Sequence, residues 1–149
     1  MRCKSVLVMT CLTMASSCIF GDRDHRESAE HTDLIGRWEI IAINRGGQDI
    51  NLDHLEGAIR EIRESTYSII PATGSSITGN YTINDDANPK TIDQMVDNGR
   101  FQGKTLKGIY RIHDHQLTIS FGGPGEARPV SFKSVAGTTY TVAIHKKTQ

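Results

Sequence analysis

Residues 106–121, LKGIYRIHDHQLTISF, carry the clearest structural signal in the sequence. Apolar residues or glycine occupy every second position on both sides of a polar triplet: Leu106, Gly108, Tyr110 and Ile112 before His113-Asp114-His115, and Leu117, Ile119 and Phe121 after it. Alternation with a period of two is typical of half-buried antiparallel strands. Two such runs separated by about two residues predict a tight β-hairpin.

The same alternation recurs through residues 34–149. The other predicted apolar faces carry Trp38, Ile40 and Ala42; Ile77, Gly79, Tyr81 and Ile83; and Tyr140, Val142 and Ile144. Weaker runs lie near residues 57–63, 66–70 and 90–96, and turn-forming residues separate the runs. About eight antiparallel strands predict an all-β domain, either an up-and-down barrel or a sandwich.

One stretch departs from this pattern. Leu52, Leu55, Ile59 and Ile62 lie at helical spacing, and Asp53 with Glu56 has the spacing of a capping box. We therefore expect one short helical turn near residues 52–56, before the next strand.

Residues 1–17 have the features of a secretory signal peptide. Arg2 and Lys4 precede an apolar stretch that ends at Ala15 and is too short to cross a bilayer. Residues 18–33 are polar and of mixed charge, which predicts a solvated tether ahead of a folded domain over residues 34–149. We expect an exported protein, which is periplasmic, membrane-anchored or secreted.

Ala15-Ser16-Ser17-Cys18 resembles a bacterial lipobox, in which the cysteine is acylated. Lipid attachment at Cys18 would give the only membrane contact that we expect. The residue three positions before the cysteine is Ala15 in place of the usual Leu. Plain cleavage with secretion, and retention of an uncleaved anchor, are therefore the alternatives.

Charge and cysteine content exclude several classes of protein. The chain of 149 residues has 17 basic and 17 acidic side chains, so it lacks the basic surface of a nucleic-acid-binding protein. All three cysteines lie within the first 18 residues, so the domain has neither a disulfide nor a cysteine zinc site.

From Leu34 to Lys147 the chain resembles a small lipocalin-like domain family that is abundant in planctomycete proteins. The matching elements are Leu34-Ile35-Gly36-Arg37-Trp38, Gly79-Asn80-Tyr81-Thr82-Ile83, Asn88-Pro89-Lys90-Thr91-Ile92-Asp93, Gly108-Ile109-Tyr110 with Leu117, and Arg128-Pro129-Val130-Ser131-Phe132. Asp114-His115 stands where the family usually has Gly-Asp. The resemblance implies a calycin-type barrel and no established activity.

Gly36 and Trp38 look like the Gly-x-Trp motif that begins the first strand of lipocalins. There the Trp closes one end of the barrel, often beneath a basic side chain. A ligand-stacking role is the alternative for Trp38. Arg128 is the third residue of the expected barrel-closing set. Two roles are open for its side chain, covering Trp38 or pairing with a carboxylate, and the sequence does not choose between them.

No pattern in the sequence identifies a catalytic residue, a metal site or a cofactor. Asn84, Asp86 and Asn88 have calcium-loop spacing, but Pro89 and Met95 replace the glycine and the glutamate that such a loop needs. His113 and His115 lack an identifiable third metal ligand. His145, on the last predicted strand, is expected to lie at the surface. Nucleophile and phosphate-loop motifs are absent.

Three functions are consistent with these features. The barrel holds a small apolar or amphipathic ligand, with Tyr67, Tyr81, Tyr110, Phe121 and Tyr140 as possible lining residues. Alternatively, the barrel is filled by its own side chains and serves as a tethered structural or protein-interaction module. The third function is a hydrolytic enzyme that uses His113, Asp114 or His115. Gly79 and Gly108 discriminate between the first two, since they either make room for a ligand or relieve strand curvature.

Overall fold

The computed structural model describes residues 33–53 and 57–148. Nine β-strands lie within these ranges: β1 (Gly36–Arg45), β2 (Gln48–Asp49), β3 (Ile59–Ile62), β4 (Thr66–Ile70), β5 (Ile77–Asn84), β6 (Thr91–Val96), β7 (Thr105–His113), β8 (Gln116–Phe121) and β9 (Thr141–Lys147). The predicted helical turn lies mostly on residues 54–56, outside the described residues. So do residues 1–32, with the predicted signal peptide, Cys18 and most of the tether.

Eight of these strands form a closed antiparallel barrel. Strands β3 to β9 pair in chain order, and β1 pairs with both β3 and β9. The two-residue β2 extends one end of β1 as a short hairpin. The structure thus confirms the prediction of an all-β up-and-down barrel over the sandwich.

The β7–β8 hairpin confirms the tight turn predicted between the two clearest runs. Asp114 and His115 are its only loop residues, and both have positive φ angles of 48° and 61°. Two consecutive residues in this region form a type I′ turn, whose twist matches the flanking strands. Glycine is not required because Asp and His both tolerate the left-handed region.

In two strands, the residues that point into the barrel differ from those predicted from the sequence. In β1, the register shifts between Ile40 and Ala42, so a β-bulge at Ile41 turns Ala42 to the outer face, opposite Ile144. In β9, Ala143 lies opposite the inward-facing Ile119, whereas Val142 lies opposite the outward-facing Ser120. The predicted inner face of β9, Tyr140 with Val142 and Ile144, is therefore wrong.

The segment 122–140, between β8 and β9, explains why apolar residues lie outside the barrel. It packs against the outer face, where the Pro129 side chain is fully buried and Arg111 lies over the Phe132 ring at 4.6 Å. Under this cover, outward-facing Ile109 and Ser120 are buried almost completely. The outer face of β7–β9 is thus a second packed surface.

Within the described ranges, no helix is both long and apolar enough to cross a membrane.

Candidate ligand-binding site in the barrel

One end of the barrel is closed by Trp38. This side chain is fully buried, and its Nε1–H donates to the Leu34 carbonyl at 2.9 Å. Lys147 lies over the indole, with its Nζ 5.0 Å from the ring centroid. Gly36 has a φ of 140°, which disfavours any residue with a Cβ atom. Together these residues seal this end of the barrel, called the Trp38 end below.

Arg128 takes no part in closing the barrel. Its guanidinium pairs with the Asp93 carboxylate through Nη1 at 2.5 Å and Nη2 at 3.0 Å, on the outer face. Nη1 also donates to the Gly108 carbonyl at 2.7 Å. Of the two roles predicted for Arg128, the structure shows the pairing with a carboxylate, whereas the basic side chain over Trp38 is Lys147, so Arg128 does not belong to the barrel-closing set. Arg128 instead fastens the segment 122–140 to β6 and β7.

Four of the five predicted lining residues are buried in the barrel core: Tyr67, Tyr81, Tyr110 and Phe121. The Tyr81 hydroxyl donates to the Arg63 carbonyl at 2.6 Å, and burial raises the pKa of Tyr81 to about 12. The fifth residue, Tyr140, precedes β9 and its ring lies beside Gly122 in the outer segment. Tyr140 does not line the barrel interior.

Aromatic rings from neighbouring strands fill the space beside the two inward-facing glycines. A Cβ atom on Gly79 would lie 2.7 Å from the Tyr67 ring, and one on Gly108 would lie 2.5 Å from the Phe121 ring. Gly79 and Gly108 therefore make room for these two rings. This packing fills part of the space that a ligand would need.

A polar pair lies among these apolar side chains. Arg60 on β3 is 4% exposed and His145 on β9 is 0% exposed. Arg60 Nε–H donates to His145 Nε2 at 3.2 Å, and His145 Nδ1–H donates to the Leu117 carbonyl at 3.0 Å. A carbonyl can only accept, which fixes the neutral Nδ1–H tautomer of His145. The predicted surface position of His145 is therefore wrong.

Burial lowers the pKa of both groups, and Arg60 adds to the shift of His145. Burial, followed by the positive charge of Arg60, lowers the pKa of His145 to about 3. Burial lowers the pKa of Arg60 to about 10, with a smaller opposing effect from Tyr67. At neutral pH the pair is thus a charged guanidinium held by a neutral imidazole.

Two buried donors inside the barrel have no hydrogen-bond partner among the described residues. They are Arg60 Nη1 and Gln94 Nε2. Gln94 faces inward, because it pairs with Tyr81 on one side and Leu106 on the other. A buried donor without an acceptor costs about 1–3 kcal/mol, and more when it is charged. These two donors are the chemical feature that distinguishes the interior from an ordinary apolar core.

An open groove of about 480 Å³ lies on the rim at the Trp38 end, and the inward-facing Tyr110 and Ile112 are among its lining residues. Pro89, Lys90, Arg111 and Phe132 contribute to its walls. Its lining includes both a carboxylate (Asp33) and basic side chains, so the groove favours neither anionic nor cationic ligands.

The residues considered for catalysis or metal binding do not converge. The His113 Nε2 lies 3.1 Å from the Asp114 carboxylate, and both side chains are more than four-fifths exposed. Across residues 33–53 and 57–148, no three His, Cys, Asp or Glu side chains are grouped as a metal site would require.

Comparison of the chain with protein-family models, with curated proteins and with solved structures gives no match.

The buried imidazole predicts a pH-dependent stability. The ordinary pKa of histidine, 6.5, applies to the unfolded chain, whereas the folded value is about 3. Between these values the unfolded chain binds more protons, so the free energy of unfolding falls as the pH is lowered. From pH 7.5 to pH 5.5 this group alone removes about 1.4 kcal/mol, as urea unfolding at the two pH values would measure.

Two variants serve as controls for this prediction. His145→Gln keeps a donor for Leu117 and an acceptor for Arg60, and should abolish this part of the pH dependence. His113→Gln changes an exposed histidine and should retain it. An undiminished pH dependence in His145→Gln would contradict the assignment.

Proposed function

We propose that this protein is an exported lipocalin-like protein of the cell envelope that binds a small apolar or amphipathic molecule inside its barrel, without catalysing a reaction. The proposal keeps the domain division predicted from the sequence, with a signal peptide, a tether and lipid attachment at Cys18.

The observation that carries this proposal is the pair of unpartnered buried donors inside the barrel. An interior that served only to stabilise the fold would gain from an apolar side chain at Arg60, because burying an unpaired charge is costly. Sites for small molecules combine a mainly apolar, aromatic wall with a few polar groups that orient the ligand. The buried tyrosines supply such a wall, and Arg60 with Gln94 supplies the polar groups.

A filled barrel that acts as a tethered interaction module is the second candidate. The observation in its favour is the occupation of Gly79 and Gly108 by the Tyr67 and Phe121 rings. Under this alternative the interior would bind nothing, and the function would lie on the outer surface or in the loops.

Native mass spectrometry of the protein purified gently from its own envelope separates the two candidates. A reproducible additional mass of a few hundred daltons, lost on denaturation, is the result expected for a ligand-binding barrel. A bare mass, combined with no binding of an apolar fluorescent probe, would overturn the proposal in favour of the filled module.

The proposed anchor has its own test. Replacing Cys18 with serine removes the acylation site, so the protein should move from the membrane fraction to the soluble fraction. Ser17→Ala leaves the thiol in place and serves as the matched control. An unchanged membrane fraction for Cys18→Ser would contradict lipid attachment.

A further inference from the structure

The charged residues at the inward positions of the barrel strands are all basic. Arg45, Arg60 and Lys147 are the charged residues at inward positions of the eight barrel strands, and none of these positions carries Asp or Glu. Arg45 lies at the end of β1 away from Trp38, where its Nε–H donates to the Thr141 hydroxyl at 3.0 Å. Lys147 lies at the Trp38 end. Beyond the end of β5, the Asp85 carboxylate accepts a hydrogen bond from the inward-facing Tyr110, so this basic character belongs to the strand positions and not to every group around the interior.

Arg60 is the one of these three that is buried, and no described carboxylate balances its charge. Its Nε–H is bound by the neutral His145, and its guanidinium lies 5.6 Å from the centre of the Tyr67 ring. Neither contact supplies a negative charge, and Nη1 makes no hydrogen bond. The imidazole holds the guanidinium in one orientation and leaves Nη1 available to an acceptor that the protein itself does not supply.

We propose that Arg60 binds the carboxylate of the barrel ligand, so that the ligand is a small organic acid with an apolar body. This inference rests on the proposed function and names the chemical class of its ligand. A guanidinium donates charge-assisted hydrogen bonds in the plane of a carboxylate, which neutralises both groups. Gln94 Nε2 is a second inward donor without a partner.

The surroundings favour one carboxylate over a phosphate. A single guanidinium balances one negative charge, whereas a phosphate dianion would keep an unbalanced charge inside an apolar core. Arg60 lies opposite Trp38 on β1 and opposite Ile69 on β4, so an apolar body attached to the carboxylate meets apolar side chains. The Tyr67 and Phe121 rings fill the space beside Gly79 and Gly108, so the interior can hold only a small ligand.

The test compares decanoate with decanol, which share the same tail and differ in charge. Calorimetry at pH 7.5 is carried out on the protein after any bound ligand has been removed from the barrel. Decanoate should bind at least about tenfold more tightly than decanol, a difference of about 1.4 kcal/mol. Arg60→Met should remove this preference. Arg63→Met, which changes an exposed arginine at the start of the β3–β4 turn, should leave it unchanged.

The outcomes separate the inference from the proposed function. Equal binding of the two probes, or a decanoate preference that survives in Arg60→Met, would overturn the role of Arg60 while the binding function stands. Binding of neither probe would count against both. If Arg60→Met does not fold, Arg60→Lys supplies the decision: an ammonium cannot form the planar paired bonds of a guanidinium, so decanoate binding should weaken several-fold with decanol binding unchanged, and a lack of any effect would overturn the site.

Discussion

Replacing Trp38 with alanine is expected to lower the free energy of unfolding by about 3–5 kcal/mol, which is a large part of the stability of a domain of this size. The indole is completely buried, and it holds Leu34 through a hydrogen bond and Lys147 through a cation–π contact. Its removal leaves a large cavity at the end of the barrel and an unpaired Leu34 carbonyl. Urea unfolding followed by circular dichroism measures the loss, because Trp38 is the single tryptophan of the chain.

Met95→Ala provides the matched control for this prediction. Met95 is on the outer face and 53% exposed, so its truncation should change the free energy of unfolding by less than about 0.5 kcal/mol. A loss of under about 1 kcal/mol in Trp38→Ala would show that Trp38 does not seal the barrel end.

Replacing Gly108 with alanine is the second substitution with a large expected effect, a loss of about 1–3 kcal/mol from overpacking. The added methyl group would lie 2.5 Å from the Phe121 ring and 2.7 Å from the Ser120 carbonyl oxygen. The ring can turn away only within a filled interior, and the carbonyl belongs to the β-ladder. Gly79→Ala should behave in the same way, because its methyl group would meet the Tyr67 ring and the Met95 carbonyl.

A double-mutant cycle identifies the cause of the loss. Phe121→Leu removes the ring atoms nearest to Gly108, so combining it with Gly108→Ala should cost less than the sum of the two single changes. Additive losses would mean that the ring does not fill the space over Gly108. Equilibrium unfolding of the four proteins provides the comparison.

The strands were predictable from the sequence because alternation survives wherever one face is buried and the other is solvated. The β7–β8 hairpin is the clearest case, since both of its strands and its two-residue turn follow from residues 106–121. The barrel could also be inferred, because about eight such strands in succession leave few other ways to pair every edge.

Which face of each strand points inward was less predictable. In β9, the apolar Val142 and Ile144 lie on the outer face, where Val142 is buried and Ile144 half-buried, whereas Ala143 and His145 lie inside. Local alternation cannot reveal a cover supplied by a distant loop. The bulge at Ile41 likewise depends on pairing with β9, about a hundred residues later in the chain.

The Arg60–His145 pair was missed for the same reason. In β3, each face carries one isoleucine and one charged residue: Ile59 with Glu61, and Arg60 with Ile62. The pattern does not distinguish the two faces, and nothing local places a charged side chain inside. A usable signal appears only when register is known, since His145 lies opposite Leu117 and Arg60 opposite Trp38.

The seam between β1 and β9 also determines the order in which this barrel can assemble. Hairpins within β3–β8 join neighbours in sequence and can form as soon as both strands are made. The free edges of β1 and β8 have no partner until residues 141–147 emerge, and bringing distant strands together is the slow step in folding. An unfinished barrel therefore exposes two unpaired edges, which other chains can extend. Until β9 arrives, aggregation of the open sheet therefore competes with closure of the barrel.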